Sequence, residues 1–107
     1  MPYEETQRDL EEMISLLMAD GLKHWADFFS RALSLLQSDK IADCGIHILS
    51  GSGGMGSLND IVLGQGENAE GQFEWKPGYE ELNKRYMALL NRLYKFSHQA
   101  RRSAQES

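Results

Sequence analysis

The sequence predicts a mainly α protein: a small helical bundle with a Gly-rich irregular centre and at most one short β-hairpin. Three observations predict it. Apolar residues recur at helical spacing through the first 49 residues and again from residue 79 onward. Between these stretches, Gly51-Ser52-Gly53-Gly54-Met55-Gly56 puts four glycines in six residues, each costing a helix about 1 kcal/mol relative to alanine. The length of 107 residues, with 41% hydrophobic and 25% charged residues, fits one globular domain over 1–107.

The elements follow in order. Residues 3–19 form an amphipathic helix, with Leu10, Met13, Ile14 and Leu17 on one face. Glu4, Glu5, Asp9, Glu11 and Glu12 crowd its early turns, where negative charge complements the helix dipole. Asp20-Gly21 stops it, and so short a link favours an antiparallel hairpin with a second helix over 22–37. That helix carries Leu22, Trp25, Phe28, Phe29, Ala32, Leu33 and Leu36 on one broad face, and its aromatics read as core rather than as a ligand cage. Ser38-Asp39 is placed to cap a third helix over 40–49, with Ile41, Gly45, Ile48 and Leu49 as its apolar positions. The alternation around Ile46, His47 and Ile48 leaves a strand over 45–49 open.

After the glycine loop, two short strands are expected over 60–63 and 72–75, joined by the Gly/Asn stretch between them. Without such pairing a compact domain would hold an unusually long structureless segment. Lys76-Pro77-Gly78 then introduces a long helix over 79–101, with Tyr79, Leu82, Tyr86, Leu89, Leu90 and Leu93 in helical period. Residues 1–2 and 103–107 are expected to fray.

The net charge of −5 is unevenly spread. Residues 1–80 hold 14 acids against 5 Lys or Arg; residues 81–107 hold 2 acids against 6. So acidic a chain argues against direct nucleic-acid binding, which needs clustered cations, and suits contact with a basic protein surface. The basic Arg101-Arg102 end lacks interleaved aromatics and reads as a helix terminus. A single cysteine, Cys44, fits a reducing compartment. The N-terminal residues do not read as a signal peptide, and no apolar run approaches the roughly 20 residues that span a bilayer. The expected location is the cytoplasm, away from membranes.

Chemistry-bearing patterns are incomplete. A Walker loop needs a lysine after its final glycine, whereas Ser57 and Leu58 follow Gly56. A GxGxxG motif is half present, but the chain is too short for a doubly wound sheet and no obvious strand run precedes the loop. That loop reads instead as a tight turn presenting Met55 to the core or to a partner. Cys44 and His47 lie three residues apart on the third helix, and Asp43 or Asp60 could be written as a third group, but nothing in the sequence fixes the geometry of a nucleophilic site. No CxxC, HxxxH or HExxH spacing supports a metal site. The expectation is a protein without enzymatic activity, cofactor or metal.

The stretch Gly53-Gly54-Met55-Gly56-Ser57-Leu58-Asn59-Asp60-Ile61-Val62-Leu63 resembles small bacterial immunity proteins found beside polymorphic toxins, including those of contact-dependent growth inhibition. The resemblance implies cytoplasmic neutralisation of a cognate toxin protein, most often a basic nuclease domain whose active site the protein occludes. Because such proteins share a role more than a sequence, no residue roles transfer. From charge and position, Asp39, Asp43, Asp60, Glu67, Glu70 and Glu74 are the candidate partner contacts, with Phe73 and Trp75 as aromatic anchors. The bland alternatives are solvated acids and core aromatics. A helical adaptor or regulatory subunit without a toxin, perhaps homodimeric, is the rival function.

Overall fold

The computed structural model describes residues 3–53 and 56–106. Expectations about residues 1–2, Met55 and Ser107 fall outside them. Among the described residues there are four α-helices, one 3-10 turn and one two-stranded sheet. The helices are α1 (Glu4–Ala19), α2 (Lys23–Gln37), α3 (Ile41–Leu49) and α4 (Tyr79–Glu106), and the strands are β1 (Gln65–Glu67) and β2 (Phe73–Trp75). The fold is mainly α. Residues 45–49 are helical, so the strand alternative there is excluded. Instead of ending at Arg101 and fraying from 103, α4 continues to Glu106.

One apolar cluster joins all four helices. Leu10, Met13 and Leu17 of α1 meet Phe29, Ala32 and Leu36 of α2, Cys44 and Ile48 of α3, and Tyr86, Leu89, Leu90 and Leu93 of α4. Each helix supplies residues at three- and four-residue spacing, which is why the sequence period located them. α3 lies close against α4 at Gly45, where a Cβ would stand 2.9 Å from the Ser97 carbonyl oxygen. Across α1 and α4, Arg92 bonds Glu5 at 2.8 Å and Asp9 at 2.9 Å, while Arg85 pairs with Glu12. Burial raises the pKa of Asp9 against the pull of Arg92.

Two helix ends close in the same way. After α1, Leu22 N–H bonds the Leu17 carbonyl and Gly21 N–H bonds Met18, with Gly21 at φ 78°. After α2, Lys40 N–H bonds Leu35 and Asp39 N–H bonds Leu36, with Asp39 at φ 63°. Both are six-to-one terminations around a left-handed residue. Asp39 therefore ends α2; neither it nor Ser38 caps α3, whose N-terminus has no side-chain cap.

The irregular centre departs from expectation at its first strand. Residues 58–60 form a 3-10 turn and 61–63 are in neither helix nor strand, so the strand expected at 60–63 lies instead at Gln65–Glu67. The reason is that α4 side chains take the backbone groups. Tyr86 donates its hydroxyl to the Leu58 carbonyl at 2.7 Å. Asn83 accepts from Leu63 N–H at 2.8 Å and donates to the Leu63 carbonyl at 2.9 Å. Pairing between strands begins only at Gly64, whose carbonyl accepts from Lys76 N–H at 2.7 Å. Gly64 has φ 83°, and a Cβ there would lie 2.4 Å from the Tyr79 Cβ.

Two substitutions should act in opposite directions. Gly64→Ala forces a left-handed alanine into the Tyr79 side chain and should destabilise by about 2–4 kcal/mol. Asp39→Gly keeps the turn without the left-handed penalty and should stabilise by about 0.5–1 kcal/mol. Urea unfolding of both variants beside the parent protein checks the signs.

Candidate functional site

Every residue of the β1–β2 hairpin over 65–75 is exposed except Gly66 and Asn68, which are half-buried. Its register pairs Gln65 with Trp75, Gly66 with Glu74 and Glu67 with Phe73. Its tip is closed by Asn68, whose Oδ1 accepts from Glu70 N–H at 2.9 Å and Gln72 N–H at 3.0 Å. Such an Asx turn holds a loop through local bonds rather than packing. Its base is held by Asp20 at the end of α1, where Oδ1 accepts from Gly64 N–H at 3.1 Å and the Lys76 ammonium stands 3.7 Å away.

Phe73 is 59% exposed and Trp75 42%. Both were weighed as core residues, and neither is. The Phe73 and Trp75 rings meet edge-on at 5.0 Å, and Trp75 stacks on Tyr79 at 4.4 Å. Glu67, Glu70 and Glu74 share the hairpin and are all exposed, with no ion pair to a described residue. Five of the eight contacts expected from sequence thus sit on one hairpin.

The other three lie elsewhere. Asp39 and Asp43 flank Ile41 at the start of α3. There Ile41, Ala42, Tyr3, Phe96, Gln99 and Ala100 line a cleft of about 390 Å³. Tyr3 and Asp20 mark opposite ends of α1, so this region and the hairpin base are separated by roughly 25 Å at 1.5 Å per residue. Asp60 sits in the 3-10 turn and accepts from Gly56 N–H at 3.0 Å. Glu67, Glu70, Phe73, Glu74 and Trp75 therefore share the hairpin, whereas Asp39 and Asp43 lie at the far end of the bundle.

Asp20 and Asn83, which place that hairpin, were not singled out from sequence. Asp20 read only as part of the stop after the first helix. The available signal was weak: asparagine is a poor residue for a helix interior unless its amide has another use. Beyond Asn83, a shallow groove of about 690 Å³ continues along α4 past Tyr79, Lys84, Met87 and Ala88.

The cysteine and histidine are not a pair. Cys44 is buried, and burial pushes its thiol up to about 11. His47 stacks on Phe28 at 4.3 Å, and its Nε2 lies 2.7 Å from the Phe28 carbonyl, so that nitrogen carries the proton and donates. Among the described residues no three His, Cys, Asp or Glu side chains are grouped to hold a metal ion. No described helix is long and apolar enough to cross a membrane.

Residues 19–85 match the family described as Domain of unknown function (DUF6966). The chain belongs to the DUF6966 family. The matched segment runs from the last residue of α1 into α4 and so contains Asp20, the hairpin and Asn83. No curated protein and no solved structure matches this DUF6966 chain.

Cys44 gives a direct check on the packing of α3 in the core. A thiol raised from 9.0 to about 11 holds roughly a hundredfold less thiolate at pH 8. A disulfide reagent should therefore label the native protein at least that much more slowly than the unfolded one. Because the folded pKa is raised, the contribution to stability is full below pH 9 and is lost as pH rises toward 11. Unfolding midpoints should fall over that window, and less so in Cys44→Ala.

Proposed function

We propose that this protein acts by binding another protein: it is a stoichiometric inhibitor that presents its acidic hairpin to a basic partner and does no bond-making chemistry itself. The partner of choice is a toxin domain, above all a nuclease, neutralised in the cytoplasm. One observation carries the reading: two large aromatic side chains stand in solvent among three acids that no described cation neutralises. Folding alone favours burying Phe73 and Trp75. Exposed aromatic anchors ringed by charge are the composition of binding hot spots. Nucleases hold phosphate with Lys and Arg, so an acidic surface competes for the same groups and gains association rate from steering.

A second reading, a helical adaptor that pairs with its own copy, is favoured by the α4 groove, where Met87 is 41% exposed. Sedimentation separates the two. A dimer that persists without a partner and leaves every toxin active supports the adaptor.

The direct test is co-purification with the toxin-like protein encoded beside this one in its genome. The inhibitor reading requires a one-to-one complex that weakens as salt rises and abolishes the toxin's activity. Replacing Glu67, Glu70 and Glu74 together by lysine should slow association at least about tenfold at low salt. The same variant should leave stability within about 0.5 kcal/mol, because these side chains make no tertiary bonds. Unchanged association would remove the hairpin from the interface.

A further inference from the structure

One face of the hairpin has the chemistry to take a particular cation. In an antiparallel pair, bonded and non-bonded positions alternate, and side chains approach more closely across the non-bonded ones. Lys76 N–H bonds the Gly64 carbonyl and Asn68 N–H bonds the Gln72 carbonyl. Glu67 with Phe73 and Gln65 with Trp75 therefore fall at non-bonded positions, with Cα atoms about 4.5 Å apart. All four side chains lie on the same face. That face sets one carboxylate directly beside an exposed phenyl ring and an amide beside an exposed indole.

Among the described residues no cation pairs with Glu67. Residues 61–78 contain a single Lys or Arg, Lys76, which belongs to the opposite face with Gly66 and Glu74. Its side chain passes 3.3 Å from where a Gly66 Cβ would be, and its ammonium reaches toward Asp20. The aromatic face is left negative; one side of the Trp75 indole is covered by Tyr79, and Phe73 is the more open ring.

We infer that this face is the docking site for an arginine side chain of the basic partner, with the guanidinium plane on the exposed aromatic rings and its N–H edge on the Glu67 carboxylate. The inference rests on the protein-binding reading above and names the group that is recognised. Arginine fits better than lysine because its planar cation stacks on a ring while its edge donors remain free for a carboxylate. A lysine ammonium is a hydrated point charge and satisfies one contact at a time.

The test needs no knowledge of the partner. In Trp25→Phe, Trp75 is the remaining indole, and its emission reports on the face directly. The probe is an acetylated, amidated tetra-arginine peptide at low salt, set against tetra-citrulline of the same shape without charge, and against tetra-lysine. Tetra-arginine should change the emission saturably, tetra-lysine should bind more weakly, and tetra-citrulline should have no effect. Glu67→Gln should weaken tetra-arginine binding about three- to fivefold, whereas Glu11→Gln, which removes one charge from α1, should leave it within about twofold. Equal responses to citrulline, equal losses in both variants, or no saturable change would overturn the inference. Emission that varies with protein concentration alone would place a second copy on the face and overturn it as well. The peptide response and the toxin complex fail separately. A lost response with an intact complex removes the arginine site alone, and a preserved response without any complex removes the inhibitor reading alone.

Discussion

One amide on α4 stands in for a neighbouring strand. Asn83 takes both backbone groups of Leu63 and donates its other N–H to the Tyr79 carbonyl at 2.8 Å. A buried backbone segment without partners costs free energy for every unmade bond. Leu63 is buried and has no strand beside it, so the segment can lie against the bundle only because Asn83 satisfies it. Tyr86 does the same for Leu58, and Asp20 for Gly64. These three side chains determine where the chain leaves the bundle, and hence where the hairpin stands. The small sheet could not hold itself in place, since an isolated two-stranded hairpin is marginal in water.

The frame also sorts the acids. Glu5, Asp9 and Glu12 face Arg85 and Arg92 across α1 and α4, so the acidic first helix is balanced by the basic last one. Surface pairs of this kind add little stability each, but they cancel the field they would otherwise project. Asp20 is turned inward to Gly64 and Lys76. Among the described residues the hairpin acids have no such partners, so negative charge is open beside the exposed aromatics. Charge and apolar area coincide there as they do at interfaces, with polar groups bordering a central anchor.

The helices were legible because periodic apolar residues report burial directly: α1, α2 and α3 lie within a residue or two of the stretches expected from sequence. The first strand was not, because Ile61-Val62-Leu63 has strand composition while its backbone is claimed by a side chain 20 positions away. Nothing local in the sequence announces that contact. The role of Asp39 was misread for a similar reason: an aspartate between two helices suits either the end of one or the start of the next, and the left-handed geometry decides for the first. Of the expected contacts, the hairpin group was recoverable from adjacency in the chain. Asp39 and Asp43 were grouped with it by charge and by nearness in the chain to the irregular centre, and neither says at which end of the bundle a residue stands.

The account depends on the hairpin being held as a preformed surface by Asn83 and Asp20 rather than flickering in solvent. Backbone 15N relaxation on the free protein measures this directly. Order parameters of about 0.8 or above at Gln65–Glu67 and Phe73–Trp75, falling in Asn83→Ala while those of α1 and α2 stay unchanged, are the predicted result. Values below about 0.6 across both strands of the parent protein would contradict it.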